Sequence, residues 1–280
     1  MIVEAENGDK PALEAYLATR YSTTMFMRGN LRAHGLGNKT APYAMRYFIR
    51  VDEGEITGVG ALANIGAIML QAGKNRAEIV DYIAGILPRG FKPHAITGAP
   101  EQVAALISGL KLDDLQTHMN EIEPLFVLNK AELSLPDMAG FTLRPSNIND
   151  LPQLAAWNFA YNKEVLGEPD TESTRKKTYE EAVRTVEQGN QRVLIKDGNV
   201  LAQTNFNAVL PDAVQIGGVY TAPENRGLGF ARRAVAAHLK EAFSGAVKHA
   251  ILFSASDSAS KAYQAIGFRR IGEYQIVLFT

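Results

Sequence analysis

The sequence has no cysteine among its 280 residues. Disulfide bonds, thiolate metal sites and cysteine nucleophiles are therefore excluded. The sequence also lacks an excess of charge of either sign, because 29 basic and 30 acidic residues give a formal net charge of −1. Nucleic acids and anionic membrane surfaces attract strongly basic proteins, so this balance gives no reason to expect either as a partner.

Long hydrophobic runs are missing as well. The longest apolar stretch, around Val59 to Leu70, is too short for a membrane span and contains Asn64. Residues 1–7 are acidic and lack the basic-then-apolar pattern of a signal peptide, which leads us to expect a cytoplasmic protein. The five histidines are dispersed along the sequence, so we predict no metal site.

The most informative stretch runs from Ile216 to Arg232. An apolar run stops at Pro223, glycines follow at 227 and 229, and a segment with apolar residues at helical spacing continues to Phe243. This pattern predicts a strand, a tight glycine loop and a helix. The first amide N–H groups of a helix lack intrahelical partners, and glycine lets the main chain approach a ligand closely. The stretch therefore predicts a main-chain phosphate site.

This loop has three other possible interpretations. Gly227-Leu228-Gly229 also begins a dinucleotide-binding fingerprint. That fold needs a leading βαβ unit, whereas the predicted strand follows a hairpin, and Arg232 occupies the third glycine position. An ATP-binding P-loop is disfavoured because its lysine and its serine or threonine are absent. A plain strand-to-helix turn with no ligand is the remaining alternative.

The chain reads as two halves with one order of elements. Each half predicts two helices, three antiparallel strands, a helix, a strand, a helix and a strand. The run from Ser134 to Gly140 breaks the pattern, so we predict lobes at 1–136 and 141–280. Strands are predicted at Leu125 to Leu128 and, last in the chain, at Ile276 to Phe279. The repeated order indicates duplication and an α+β fold, with a mostly antiparallel twisted sheet flanked by helices in each lobe.

Two motifs in the second half are specific. Residues 226–231 read Arg-Gly-Leu-Gly-Phe-Ala and fit Gln/Arg-x-x-Gly-x-Gly/Ala. Residues 256–268 fit Asn-x-x-Ala-x-x-x-Tyr-x-x-x-Gly-Phe, except that Ser256 replaces the asparagine. With these motifs in this order and at this separation, the chain from about Phe141 to Thr280 resembles the GNAT superfamily of acyl-CoA-dependent N-acyltransferases.

The resemblance implies acetyl-CoA as the cosubstrate, held without a metal. Main-chain groups of Val219, Tyr220 and Thr221 would bind its pantetheine arm, as an added strand would. Just before them, Gly217-Gly218 marks a predicted bulge where the strand leaves its neighbour. The pyrophosphate would lie on the loop and first helical turn. Residues of the second motif would contact the pantetheine arm. The implied residues are Arg226, Gly227, Leu228, Gly229, Phe230, Ala231, Arg232, Ser256 and Ala259.

The resemblance also implies that Tyr263 is the general acid. A phenol with a pKa of about 10 is a credible proton donor to a leaving thiolate whose thiol pKa is about 8.5. A main-chain N–H near Tyr220 would stabilise the oxyanion. The general base is open, because residues 250–253 offer no carboxylate, and the candidates are Glu224, Asp257, Glu168 or a water chain.

The first half lacks these features. Residues 71–76 have no repeated glycines, and residues 97–101 have no matching tyrosine, so we predict a degenerate GNAT-like lobe and one cofactor per chain. The expected activity is acetyl transfer to a primary amine by direct attack in a ternary complex. A catalytically silent CoA-binding or sensory protein is the alternative. Which small-molecule or peptide amine accepts the group is open, as is the oligomeric state.

Overall fold

The computed structural model describes residues 1–165 and 167–280. The chain forms two compact units, one of Met1–Glu123 with Glu273–Thr280 and the other of Pro124–Gly272. Each unit has a mostly antiparallel sheet with helices packed on it, which confirms the predicted fold class. In the part of the chain that the structure describes, no helix has both the length and the apolarity needed to cross a membrane.

The first unit has the strand order β1, β2, β3, β4, β5, β12, in which β4 and β5 are parallel. Strand β6 begins in this unit and ends in the second, and β12 does the reverse. The elements are β1 (Ile2–Glu4), α1 (Lys10–Ala18), α2 (Tyr21–His34), β2 (Met45–Asp52), β3 (Glu55–Ala63), β4 (Ala67–Ala72), α3 (Arg76–Ile86), β5 (Ala95–Gly98), α4 (Pro100–Gly109), β6 (Thr117–Asn129) and β12 (Arg269–Phe279).

Two apolar clusters hold the first unit together. One joins buried residues of α1 and α2, such as Leu13 and Met27, to alternate residues of β2 and β3. The other joins α3 and α4 to β4 and β5. Helix α3 lies so close to β3 that a Cβ added at Gly60 would come within 2.8 Å of Ile79 and Ile83 side-chain carbons. Glycine at 60 therefore permits this close packing of helix on sheet.

The second unit has the strand order β6, β11, β10, β9, β8, β7, in which β10 and β11 are parallel. The neighbours on either side of that pair are antiparallel. Its further elements are β7 (Thr142–Pro145), α5 (Leu151–Val165), α6 (Glu172–Gln188), β8 (Gln191–Lys196), β9 (Asn199–Val209), β10 (Ala213–Tyr220), α7 (Phe230–Phe243), β11 (His249–Phe253) and α8 (Asp257–Gln264).

Helix α7 supplies one core of this unit. Its buried face includes Ala234, Val235, His238 and Leu239, which confirms the helical spacing seen in the sequence. Val235 and Leu239 pack in a cluster with apolar residues of β10 and β11, while α5 and α6 pack in a second cluster around Trp157. The glycine loop is thus carried between a buried strand and a firmly packed helix.

The structural units differ from the predicted lobes in two places. Residues 125–129 pair antiparallel with β11, which places the end of β6 in the second unit. Residues 275–278 pair antiparallel with β5, which places the end of β12 in the first unit. Both strands are longer than predicted, because polar residues and Pro124 in β6, and Gly272 in β12, interrupt the apolar pattern that marks a strand.

His238 is a buried titratable group in α7. Its ring stacks on Phe206 with 3.7 Å between centroids, and its Nδ1 has no hydrogen-bond partner. Burial, with a smaller contribution from the charge of Arg192, lowers the pKa of His238 to about 3. The unfolded chain has a histidine pKa of about 6.5, so between these values the unfolded state binds more protons. Falling pH therefore favours unfolding in this window.

We predict that His238→Phe makes the free energy of unfolding less dependent on pH. Between pH 7 and pH 5 the wild type should lose on the order of 2 kcal/mol more than the variant, because only the wild type must keep a buried imidazole neutral. Urea unfolding at both pH values measures the difference, and carboxylates common to both proteins cancel. Equal losses in the two proteins would show that His238 is not the cause.

Candidate functional site

Strands β10 and β11 start side by side and then separate. Their parallel pairing joins Ala213 to His249 and ends where Gln215 meets Ile251. Strand β10 continues beyond this point to Tyr220. The later main-chain groups on that edge are therefore not paired to β11 in the described structure. An unpaired strand edge can bind an extended ligand through main-chain hydrogen bonds.

A bulge in β10 accompanies the separation, as the paired glycines predicted. Against β9, Gly217 pairs with Asn205 and the next pair joins Tyr220 to Gln203, so one extra residue lies in β10. Gly218 has φ of +57°, and its carbonyl accepts a hydrogen bond of 3.1 Å from Gln203 Nε2. The bulge turns the last residues of β10 relative to the rest of the strand.

The loop after β10 has two left-handed glycines. Gly227 has φ of +78° and Gly229 has φ of +76°, a region that residues with a Cβ rarely adopt. Gly229 is the N-cap of α7, and no side chain caps the helix. The first helical N–H groups, which begin at Phe230, therefore face outward with the positive end of the helix dipole. This arrangement suits a phosphate group.

Two arginines flank this helix start. A Cβ added at Gly229 would lie 3.4 Å from Arg232 Nη2 and 2.9 Å from Arg233 Nη1, so both guanidinium groups lie beside the N-cap. The Nε of Arg232 is buried and has no hydrogen-bond partner. A buried, unpaired donor on a cation adds to the preference of this site for an anion.

The side chain of Arg226 forms an ion pair and a hydrogen bond with other groups of the second unit. Its Nη2 lies 2.6 Å from Glu164 Oε2, and its Nε donates to the Thr221 carbonyl at 3.1 Å. Glu164, near the end of α5, also accepts a hydrogen bond of 3.3 Å from the Tyr220 hydroxyl. Burial and the Glu164 charge raise the pKa of Tyr220, which packs its ring 5.8 Å from that of Trp157.

Glu164 was not singled out in the sequence. It lies 62 residues from Arg226 along the chain, and no local motif includes it. Its pairing ties the end of α5 to the start of the glycine loop, and its carboxylate neutralises Arg226. In this structure the side chain of Arg226, the basic residue of the first motif, therefore stabilises the contact between α5 and the loop.

The second motif forms the start of α8. Ser256 is the N-cap, and its Oγ accepts the Ala259 N–H at 3.2 Å, as expected of serine there. Tyr263 is 8% exposed and meets Phe268 edge to face at 6.0 Å between ring centroids. Val219 and Ala259 pack against the apolar cluster that contains Tyr263. The structure therefore brings residues of β10 and of both motif helices into one cluster.

The remaining predicted residues lie on the loop or on the other side of β10. Leu228 is 58% exposed between the two glycines, and Phe230 packs with Phe141, 5.7 Å between ring centroids. Tyr220 belongs to the cluster of α5 and α6, whereas Val219 packs against that of α7. This alternation is that of a strand, whose successive side chains point to opposite faces.

The carboxylates suggested as general bases have different surroundings. Glu224 and Asp257 are exposed, in a short 3-10 turn after β10 and in the first turn of α8. Glu168 Oε1 pairs with Lys177 Nζ at 2.6 Å, with only 17% of the Glu168 side chain exposed. None of these contacts involves Tyr263 or β10.

At the corresponding place in the first unit, a side chain bonds to the main-chain groups at the strand end. The pairing of β4 with β5 ends where Met69 meets Thr97, and β4 continues to Ala72. Here the side chain of Gln102, from α4, bonds to the freed main chain. Its Oε1 accepts from Ala72 N at 3.2 Å and its Nε2 donates to Ala72 O at 2.7 Å. No group of three or more potential ligand side chains within residues 1–165 or 167–280 is placed to hold a metal ion.

Comparison with known proteins agrees with this geometry. Residues 153–268 match the model of the acetyltransferase (GNAT) family. A sequence comparison with curated proteins gives no match.

Three solved structures share the fold over nearly the whole chain. A Drosophila protein has a TM-score of 0.67 at 11% identity, covering 99% of this chain and 98% of its own. A GCN5-related N-acetyltransferase from Kribbella flavida has a TM-score of 0.60 at 16% identity, covering 94% and 95%. A tandem GNAT protein from the clavulanic acid biosynthesis pathway has a TM-score of 0.58 at 13% identity, covering 99% and 97%.

At these identities the likeness shows the fold alone, and the family match comes from the sequence of the second unit. On these findings, residues 153–268 match the acetyltransferase (GNAT) family, and the likeness of the whole chain to the solved structures is one of fold.

Proposed function

We propose that the second unit transfers an acetyl group from acetyl-CoA to the primary amine of a small molecule or peptide. The observation that carries the proposal is the early end of the β10–β11 pairing, directly before a loop of two left-handed glycines. An unpaired strand edge followed by a helix N-terminus offers hydrogen bonds to an extended amide-containing arm and then to a phosphate.

The residues present fit such a molecule. The edge of β10 at Val219, Tyr220 and Thr221 would bind the pantetheine amides. The pyrophosphate would lie on the N–H groups from Gly227 to Arg232, with the Arg232 side chain adding charge. Ser256 and Ala259, at the start of α8, would border the arm. The unpaired Arg232 Nε is a specific point of fit, because an anion beside it would satisfy a buried donor.

The chemistry would be direct attack in a ternary complex. Bound acetyl-CoA supplies an acetyl thioester, to whose carbonyl carbon the amine nitrogen bonds as the carbon–sulfur bond breaks. A main-chain N–H near Tyr220 would stabilise negative charge on the carbonyl oxygen. Tyr263 would give its proton to the leaving sulfur. The proton lost by the amine would pass to water or to a carboxylate, and no described contact selects one.

The first unit is proposed to be a GNAT-like lobe that has lost its cofactor site. Gln102 bonds to both main-chain groups of Ala72, at the end of the strand that corresponds to β10. The loop that follows lacks the repeated glycines of the second unit. One molecule of acetyl-CoA per chain is therefore expected.

We predict that Gly229→Glu abolishes CoA binding. Glutamate would have to adopt φ of +76°, its Cβ would lie 2.9 Å from Arg233 Nη1, and its carboxylate would repel the pyrophosphate. Calorimetric titration with CoA measures the effect. Gly245→Glu is the matched control, because it adds the same charge just beyond the other end of α7. Equal CoA binding by wild type and Gly229→Glu would contradict the proposed site.

We predict that Tyr263→Phe lowers turnover roughly a hundredfold and changes CoA affinity little, because it removes a proton donor and keeps the ring. Release of free CoA is followed in single turnovers over a panel of amines. Tyr179→Phe is the matched control, since Tyr179 is a half-exposed tyrosine on α6, outside the proposed site.

Turnover and pH–rate profile unchanged in Tyr263→Phe would remove the acid role. A wild type that binds acetyl-CoA but releases no CoA with any amine of the panel would favour the silent CoA-binding alternative.

A further inference from the structure

The two adjacent arginines at the start of α7 make different contacts. Arg232 has a buried Nε without a hydrogen-bond partner. Arg233 is bonded to main-chain carbonyls of the loop and of the segment before β7. Its Nη1 donates to Leu228 O at 3.1 Å and to Gly229 O at 3.4 Å, and its Nε donates to Asp137 O at 2.9 Å.

We propose that Arg233 is a positioning residue for the phosphate loop. By holding the carbonyl of Leu228, its guanidinium turns the N–H group of Gly229 toward the ligand, beside the helical N–H of Phe230. This inference rests on the proposed function, because it assumes that the loop binds the pyrophosphate of CoA. It assigns Arg233 no contact with the reacting atoms or with the ligand.

Peptide geometry supplies the link between carbonyl and N–H. In a planar trans peptide, the carbonyl oxygen and the following N–H point in opposite directions. Within residues 1–165 and 167–280, no peptide bond is cis. With Leu228 O directed at the Arg233 guanidinium, the Gly229 N–H points away from it. Gly229 O also accepts the main-chain N–H of Arg233 at 3.1 Å, so the helix itself directs the Phe230 N–H. The Arg233 side chain therefore selects the orientation of the Leu228–Gly229 peptide, one of the two that a glycine loop can adopt.

The guanidinium of Arg233 is itself held in place. It lies 4.8 Å from the ring centroid of Phe141, whose ring also packs against Phe230 at 5.7 Å. Lys196 Nζ lies 5.1 Å from the same ring. Arg233 also fills the space where a Cβ at Gly229 would lie. Glycine at 229 thus leaves room for the Arg233 guanidinium in this position.

Two substitutions of Arg233 distinguish an effect of its hydrogen-bond geometry from an effect of its charge. A lysine keeps the positive charge near the phosphate but has one ammonium in place of a planar group with several donors. It cannot reproduce the bonds to three carbonyls. If Arg233 acts by position, Arg233→Lys and Arg233→Met lose CoA affinity alike. If it acts only by charge, Arg233→Lys binds as the wild type does.

The experiment measures the Kd of the full chain for CoA by calorimetry. We expect both Arg233 variants to bind about tenfold more weakly, the effect of losing charge-assisted hydrogen bonds that orient the loop. Lys196→Met is the matched control, because it removes a cation from the same Phe141 ring without touching the loop, and its Kd should equal that of the wild type. Arg233→Lys with wild-type affinity would overturn the proposal.

A second measurement needs only the wild type. In nitrogen-15 NMR spectra, addition of CoA should shift the Gly229 and Phe230 amide protons downfield, as new hydrogen bonds to an anion do. CoA binding that leaves both amides unshifted would overturn the positioning role even where an Arg233 variant fails to fold. A wild type that does not bind CoA at all would instead overturn the proposed function, and this inference with it.

Discussion

The site in the second unit depends on main-chain groups of β10 that have no partner in β11. The pairing of these two strands ends at Gln215–Ile251. Main-chain donors and acceptors that leave a sheet must find other partners or remain exposed to water. Strand β10 continues past its neighbour, bulges at Gly217-Gly218 and enters a loop whose helix has no side-chain cap. The edge of β10 beyond β11 and the first N–H groups of α7 thus lack strand and helix partners along one stretch of chain, although several carbonyls in it accept side-chain hydrogen bonds. A ligand with amides and phosphates would pair them in turn.

In the first unit, a side chain of the same unit bonds to the corresponding main-chain groups. Its β4 also outruns its parallel neighbour, and the carboxamide of Gln102 bonds to both main-chain groups of Ala72. A carboxamide offers one donor and one acceptor, as a peptide group does. The two units have the same order of elements but differ at the ends of β4 and β10. Gln102 bonds to the main chain at the end of β4, whereas the edge of β10 is not paired to β11 beyond Gln215.

Much of the fold and of the candidate site could be predicted, because helical and strand periodicity, glycines at 217, 218, 227 and 229, and the cap at Ser256 act locally. The rest depends on contacts distant in sequence. Glu164 and Arg226 meet only in the folded chain, and Arg233 reads as an ordinary surface arginine until its carbonyl partners are known. The sequence does not predict residues 117–124 as part of β6, since their polar composition and Pro124 interrupt the apolar pattern of a strand.

The central claim is that acetyl-CoA bonds to the main chain of the second unit and not to that of the first. Hydrogen–deuterium exchange with and without acetyl-CoA tests it directly, because an amide bonded to a ligand exchanges more slowly. The account predicts new protection at residues 219–221 and 227–232 and no change at residues 67–76. Protection at residues 67–76 as strong as at residues 219–232, or none in β10 and its loop at saturating acetyl-CoA, would contradict it.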